Sequence, residues 1–114
     1  MPMTRGNTAD LLLRGTLELL LLQALGGGQK HGYAIARFIE SETADVLGVE
    51  EGSLYPALHR LEERGLVNAR WAKGETGRRV RVYALTAAGR KRLAVQKRDW
   101  TTFARAVSRL VKAD

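Results

Sequence analysis

Hydrophobic residues recur in several distinct rhythms along this chain, and each rhythm implies an element. From Leu11 to Leu25 leucine is nearly continuous, interrupted by Arg14, Glu18 and Gln23. Thr8 is placed as an N-cap, and Asp10 sits in the first turn, where a negative charge suits the helix dipole. Apolar residues lie all round this predicted helix, so it requires burial on more than one side. A domain of this size offers one core, and the surplus, Leu11 and Leu12 above all, predicts a second surface that meets a partner chain. Gly15 weakens the helix by up to about 1 kcal/mol relative to alanine and permits close backbone approach. Gly26-Gly27-Gly28 then stops it.

A second helix is predicted from about His31 to Ser41, with Ile35, Phe38 and Ile39 as its apolar stripe. A connection ending at Gly48 leads into a third helix over 53–64. There Leu54, Leu58 and Leu61 share one face at spacings of four and three, and Gly65 is placed to end the helix in the left-handed conformation. With Ser53 as N-cap, Pro56 falls in the first turn, where its missing N–H has no intrahelical partner. Two short helices joined by a connection, the second polar outside, form a helix-turn-helix pattern.

After Gly65 the period becomes two. Leu66–Ala72 and Arg79–Leu85 alternate as strands; in the second, Val80, Val82 and Ala84 face one way and Arg79, Arg81 and Tyr83 the other. The intervening Lys73-Gly-Glu-Thr-Gly-Arg78 is a hairpin loop. Thr86 caps a last, long helix in which Leu93, Trp100, Phe103, Val107 and Leu110 form a seam, with Gln96 as a polar gap. Folding back on its own domain is one solution for that helix; its length and single stripe favour packing on another subunit. The predicted fold is mainly α with a small β-hairpin. A winged helix-turn-helix domain spans 9–85 and a C-terminal dimerisation helix spans 86–112.

Composition narrows the function. The apolar share of 45% excludes wholesale disorder, and the absence of cysteine excludes disulfides and thiolate-held metals. Two histidines without ligand-like spacing point to no metal, and no cofactor motif is present. Gly26–Gly28 lacks the preceding strand and following lysine of a phosphate loop, and no nucleophile–base–orienter set occurs, so an enzyme is not expected. The leucine run is too short and too charged to span a bilayer, and no small-residue cleavage site follows it. A cytoplasmic protein is expected.

Net charge adds direction. The chain carries +7 overall, yet residues 66–114 alone hold thirteen Lys/Arg against three Asp/Glu. A basic half points to a polyanion, most often nucleic acid, with a solvated surface tuned for solubility as the competing explanation. The candidate DNA contacts follow from position. Lys30, His31 and Tyr33 open the second helix, where backbone N–H groups favour a phosphate. Ser53, Tyr55, Pro56, His59 and Arg60 line the outer face of the third. Lys73, Thr76, Gly77, Arg78, Arg79 and Arg81 make the hairpin a basic finger, the wing of a winged helix. Tyr33 and Tyr55 border the core, and the sequence leaves open whether they face DNA or pack inward. Glu62 and Glu63 oppose DNA binding, so they are expected to lie far from phosphates or to pair with arginines. A winged-helix module that binds protein instead of DNA is the alternative.

Gly15-Thr-Leu-Glu-Leu-Leu-Leu-Leu22, His31-Gly-Tyr33, Glu51-Gly-Ser-Leu-Tyr-Pro-Ala-Leu58, Leu61-Glu-Glu-Arg-Gly-Leu66 and Tyr83-Ala-Leu-Thr-Ala-Ala-Gly-Arg90 resemble, in order and spacing, the PadR family of bacterial transcriptional regulators. The single C-terminal helix is similar to that of the family's short subgroup. The resemblance implies a homodimer in which that helix embraces the partner's N-terminal helix. It also implies a palindromic double-stranded DNA operator and, usually, repression. In some short members a tryptophan on the C-terminal helix lines a cavity at the dimer centre and stacks on flat hydrophobic compounds. Trp100 occupies a comparable place, which implies a small hydrophobic or aromatic effector.

Overall fold

The computed structural model describes residues 10–112, with side chains from Gly15 onward. The expected cap at Thr8 and the expected partner-facing Leu11 and Leu12 lie outside the residues so described. Helix α1 (Asp10–Gly26) is the central rod, and Leu21, Leu22, Ala24 and Leu25 on its second half are buried. Helix α2 (Gly32–Glu42) packs on it through Ile35 and Ile39, and helix α3 (Glu51–Glu63) through Leu54, Ala57, Leu58 and Leu61. Each fully buried leucine contributes roughly 1.5–3 kcal/mol, so this cluster dominates the stability of the small domain. No helix among the described residues is long and apolar enough to cross a membrane.

The sheet has three strands in the order β1-β3-β2, all antiparallel: β1 (Lys30–His31), β2 (Val67–Lys73) and β3 (Arg79–Leu85). The hairpin register runs from Val67 opposite Leu85 to Lys73 opposite Arg79. One face therefore carries Val67, Ala69, Trp71 and Lys73 against Leu85, Tyr83, Arg81 and Arg79. This face begins in the core, where Val67, Tyr83 and Leu85 are buried, and ends in solvent at Lys73 and Arg79. The two-residue β1 is an addition to the predicted hairpin. A strand that short has no period to read, and its residues look like the opening of α2.

Helix α3 begins earlier than its sequence suggests. Glu50, not Ser53, is the N-cap, without a side-chain cap bond, and Pro56 lies inside the helix in its second turn. Its far end follows expectation. Gly65 takes φ +75°, its N–H bonds the Glu62 carbonyl at 3.0 Å, and the Leu66 N–H bonds the Leu61 carbonyl at 2.9 Å. Those two bonds and the buried Leu61 and Leu66 make a complete Schellman stop.

Thr86 caps α4 (Ala87–Val111) by accepting the Gly89 N–H at 2.9 Å, while its own hydroxyl donates to the Gly65 carbonyl at 2.7 Å. One side chain thus ties the end of α3 to the start of α4. Because α4 is pinned there, its first turns lie on α1. Leu93 is half-buried, and a methyl group added at Gly26 would meet its Cδ2 at 3.1 Å. Leu93, expected in an intersubunit seam, packs on its own chain. Beyond Gln96 the helix continues with Trp100, Phe103, Val107 and Leu110 exposed, and the described chain measures 54 × 30 × 26 Å.

Candidate nucleic-acid interface

The apolar stripe of α3 is anchored in the core, which leaves Ser53, Tyr55, Pro56, His59 and Arg60 exposed on the other side. The Tyr55 ring is 41% exposed and lies across the backbone of Gly32, filling the space a side chain there would need. Tyr55 is therefore neither core nor fully free: one side of its ring touches the start of α2 and the other meets solvent. Tyr55 also lines an open groove of about 470 Å³ with His59, Glu62, Glu63, Arg81 and Tyr83, between α3 and the wing.

The start of α2 is divided. His31 caps the helix, its Nδ1 accepting the Ala34 N–H at 3.3 Å. Tyr33 is 63% exposed and points outward, its hydroxyl accepting from Arg37 Nη1 at 3.1 Å. The sequence reading did not single out Arg37; its place one turn after Tyr33 was the available signal. Lys30 is committed elsewhere. Its ammonium donates to the Ala24 carbonyl at 2.7 Å and lies 4.6 Å from the Phe38 ring centre, so it caps the negative end of α1.

In the wing, the loop Gly74–Arg78 closes through the Gly74 N–H on the Arg78 carbonyl at 2.7 Å, with Gly77 at φ +88°. Thr76, Gly77, Arg78, Arg79 and Lys73 are all exposed at or beside this tip. Arg81 differs, for its Nη2 pairs with Glu62 Oε2 at 3.1 Å and its Nε is enclosed without an acceptor among the described residues. Glu63 sits 3.3 Å from His59 Nε2. Of the two carboxylates that oppose DNA binding, Glu62 thus pairs with an arginine, as expected, whereas Glu63 faces a histidine one turn away on its own helix. Trp71 was missed. It is 53% exposed and carries the guanidinium carbons of Arg79 and Arg81 at 4.8 and 5.3 Å from its ring centre. Counting the register outward from the five-residue loop would have placed it opposite Arg81.

A basic hairpin beside an outward polar helix is the arrangement of winged-helix DNA-binding proteins, and comparison gives it a family. Residues 21–95 match the model of the transcriptional regulator PadR-like family, which covers the helix-turn-helix, the wing and the first turns of α4. The chain belongs to the PadR-like transcriptional regulators. Its fold is similar to that of a transcriptional regulator from Clostridium thermocellum, with TM-score 0.78 and 27% identity over 88% of this chain and 97% of that one. A PadR family regulator from Eggerthella lenta has TM-score 0.74 and 28% identity, covering 94% and 92%. An uncharacterised 37.1 kDa protein in a transposon of Streptomyces fradiae is 46% identical over 76 residues, 67% of this chain and 20% of that protein.

Behind the outer face of α3 in this PadR-like chain, Glu18 of α1 gathers three donors. Arg64 Nη1 lies at 2.8 Å, Gln96 Nε2 at 2.7 Å and Arg92 Nε at 3.3 Å. Burial pushes the Glu18 carboxyl up, but the hydrogen bonds and charge of the two arginines outweigh that and hold it below its ordinary value. The carboxylate joins the end of α3 to the middle of α4. Next to it a shallow cleft between α1 and α4 is lined by Gly15, Leu19, Trp100 and Phe103. Among the described residues, nothing beyond its own turn of helix and its chain neighbours comes within 4 Å of where a Gly15 side chain would begin.

Proposed function

We propose that this PadR-like regulator is a cytoplasmic homodimer that represses transcription by binding a palindromic operator. Residues 9–85 are the DNA-binding unit and 86–112 the dimerisation helix. The outer face of α3, with Ser53, Tyr55, Pro56, His59 and Arg60, enters the major groove. The wing residues Lys73, Thr76, Gly77, Arg78 and Arg79 follow the backbone. Arg81 supports the wing from its pair with Glu62, and His31 and Tyr33 flank the helix at the start of α2. The observation that carries the reading is the pairing of a polar outward helix with a tip whose cations are exposed and clustered.

Dimerisation is supported by α4 beyond Gln96. Trp100 is 48% and Phe103 52% exposed, with ring centres 5.8 Å apart, and Val107 and Leu110 continue the same stripe. A stripe that large has to be covered, and a two-fold copy brings a matching α4 and the open flank of α1 around Gly15 and Leu19. Leu11 and Leu12 are assigned to the same contact. A flat hydrophobic effector stacked on Trp100 between the subunits would change the separation of the two reading helices and release the operator.

The test is binding of the full chain to its own promoter fragment across a salt series. The affinity should fall steeply with salt, and Arg78→Ala/Arg79→Ala should lower the slope by about 2 per protomer through lost phosphate contacts. An unchanged slope and affinity in that variant would remove the wing from the interface. The parent chain should sediment as a dimer and Phe103→Arg as a monomer; a variant that sediments like the parent would place the subunit contact elsewhere.

A further inference from the structure

Among the wing cations, only Arg79 is both held against an aromatic ring and left without a carboxylate. Trp71 and Arg81 are directly opposite one another in the hairpin, and Lys73 and Arg79 form the next pair on the same face. The Trp71 ring meets both guanidiniums. Arg81 is tied back to α3 by Glu62, so it serves as a strut that is already neutralised. Arg79 enters none of the ion pairs among the described residues, and it is exposed. A long cationic side chain ordinarily loses rotamer freedom when it contacts a phosphate; one already laid on an indole has lost that freedom beforehand. The ring binds through its face, which leaves the edge N–H groups of the guanidinium available to oxygen acceptors.

We infer that Trp71 is a positioning residue for DNA contact: its indole holds the Arg79 guanidinium in place on the wing, braced by the Arg81–Glu62 pair, so that Arg79 meets a backbone phosphate pre-ordered. The inference rests on the reading that α3 and the wing bind duplex DNA. It gives the wing a neutral aromatic that orders a charge without supplying one. Since Trp71 itself contributes no charge, its removal weakens binding without changing how many phosphates are neutralised.

The experiment measures binding of the full chain to a fluorescently labelled 30-base-pair duplex by anisotropy, at several salt concentrations. The variants are Trp71→Ala, Trp71→Leu, Trp71→Phe, Arg79→Ala and Trp71→Ala/Arg79→Ala. Loss of the ring in the alanine and leucine variants should weaken binding about 3- to 10-fold with the salt slope kept, and phenylalanine should restore most of it. On the Arg79→Ala background the same alanine change should have little further effect. Leucine keeps apolar bulk without a π face, so the Leu–Phe comparison decides the matter even if the alanine variant fails to fold. Equal affinity of the Leu and Phe variants, or a Trp71→Ala loss that persists without Arg79, would overturn the inference. Failure of the parent chain to bind the duplex at all would instead strike at the proposed function, before any substitution enters.

Discussion

At Gly89 two opposing effects can be weighed. An alanine there would gain up to about 1 kcal/mol of helix propensity, since Gly89 lies in the first turn of α4. Its methyl group, however, would run into the backbone carbonyl of Leu66, a residue whose N–H is held by the Leu61 carbonyl in the Schellman stop and whose carbonyl accepts the Thr86 N–H at 3.1 Å. Backbone held on two sides does not step aside, so the clash wins. Gly89→Ala should lower stability by about 2–3 kcal/mol in urea unfolding, whereas a propensity-dominated site would show a gain. Gly32 makes the contrast. A methyl there meets the free end of the half-exposed Tyr55 ring, which can swing outward. Gly32→Ala should therefore leave stability within about 1 kcal/mol of the parent but change DNA affinity. Thermal unfolding and anisotropy on one sample separate the two effects.

For the elements, the informative case is α3, because its two ends were legible to different degrees. Gly65 could be read because a helix stop leaves a local mark: a left-handed glycine following the last apolar contact. The Gly65→Ala variant should lose about 1–2 kcal/mol by denaturant unfolding, the cost of placing a Cβ in that conformation. The start was misread because Ser53 is a good cap by type, whereas the chain enters α3 one turn earlier to bury Leu54 and Ala57 together. Pro56 then leaves the Gly52 carbonyl without its helical donor, on an exposed face. Pro56→Ala should raise stability by about 1–2 kcal/mol, the restored bond being partly offset by a more flexible unfolded chain. The strands were legible from alternation, but which residues shared the Trp71 face needed the register.

Across the whole molecule, Glu18 links α3, proposed to read DNA, to the helix proposed to hold the second subunit. Its carboxyl is held below the ordinary value of 4.5, so it takes up a proton more readily in the unfolded chain. The stabilisation is fully present above that value and is lost as pH falls through the lower, folded value. Glu18→Gln should accordingly be less stable than the parent at pH 7, with the gap closing below pH 4.5, as chemical denaturation across that range would reveal. A gap that stays constant with pH would mean that the contact acts by packing alone. No local pattern predicted this junction, since Glu18, Arg64, Arg92 and Gln96 lie on three separate segments. The same holds for Leu93, which a one-dimensional seam grouped with Trp100 and Phe103. The pinning of α4 at Thr86 and Gly89, with Glu18 holding Arg92 and Gln96, turns it toward α1.

Features written in short-range order, such as helix periodicity, strand alternation, the glycine stop and the basic bias of the second half, could be read residue by residue. Each depends on neighbours within a turn or a hairpin, and these already select a winged helix. Which cations remain open and which are paired could not be read in that way. Lys30 is drawn to the end of α1, Arg81 to Glu62, and Arg79 to the Trp71 ring, because charges find partners through space and fold geometry alone sets those distances.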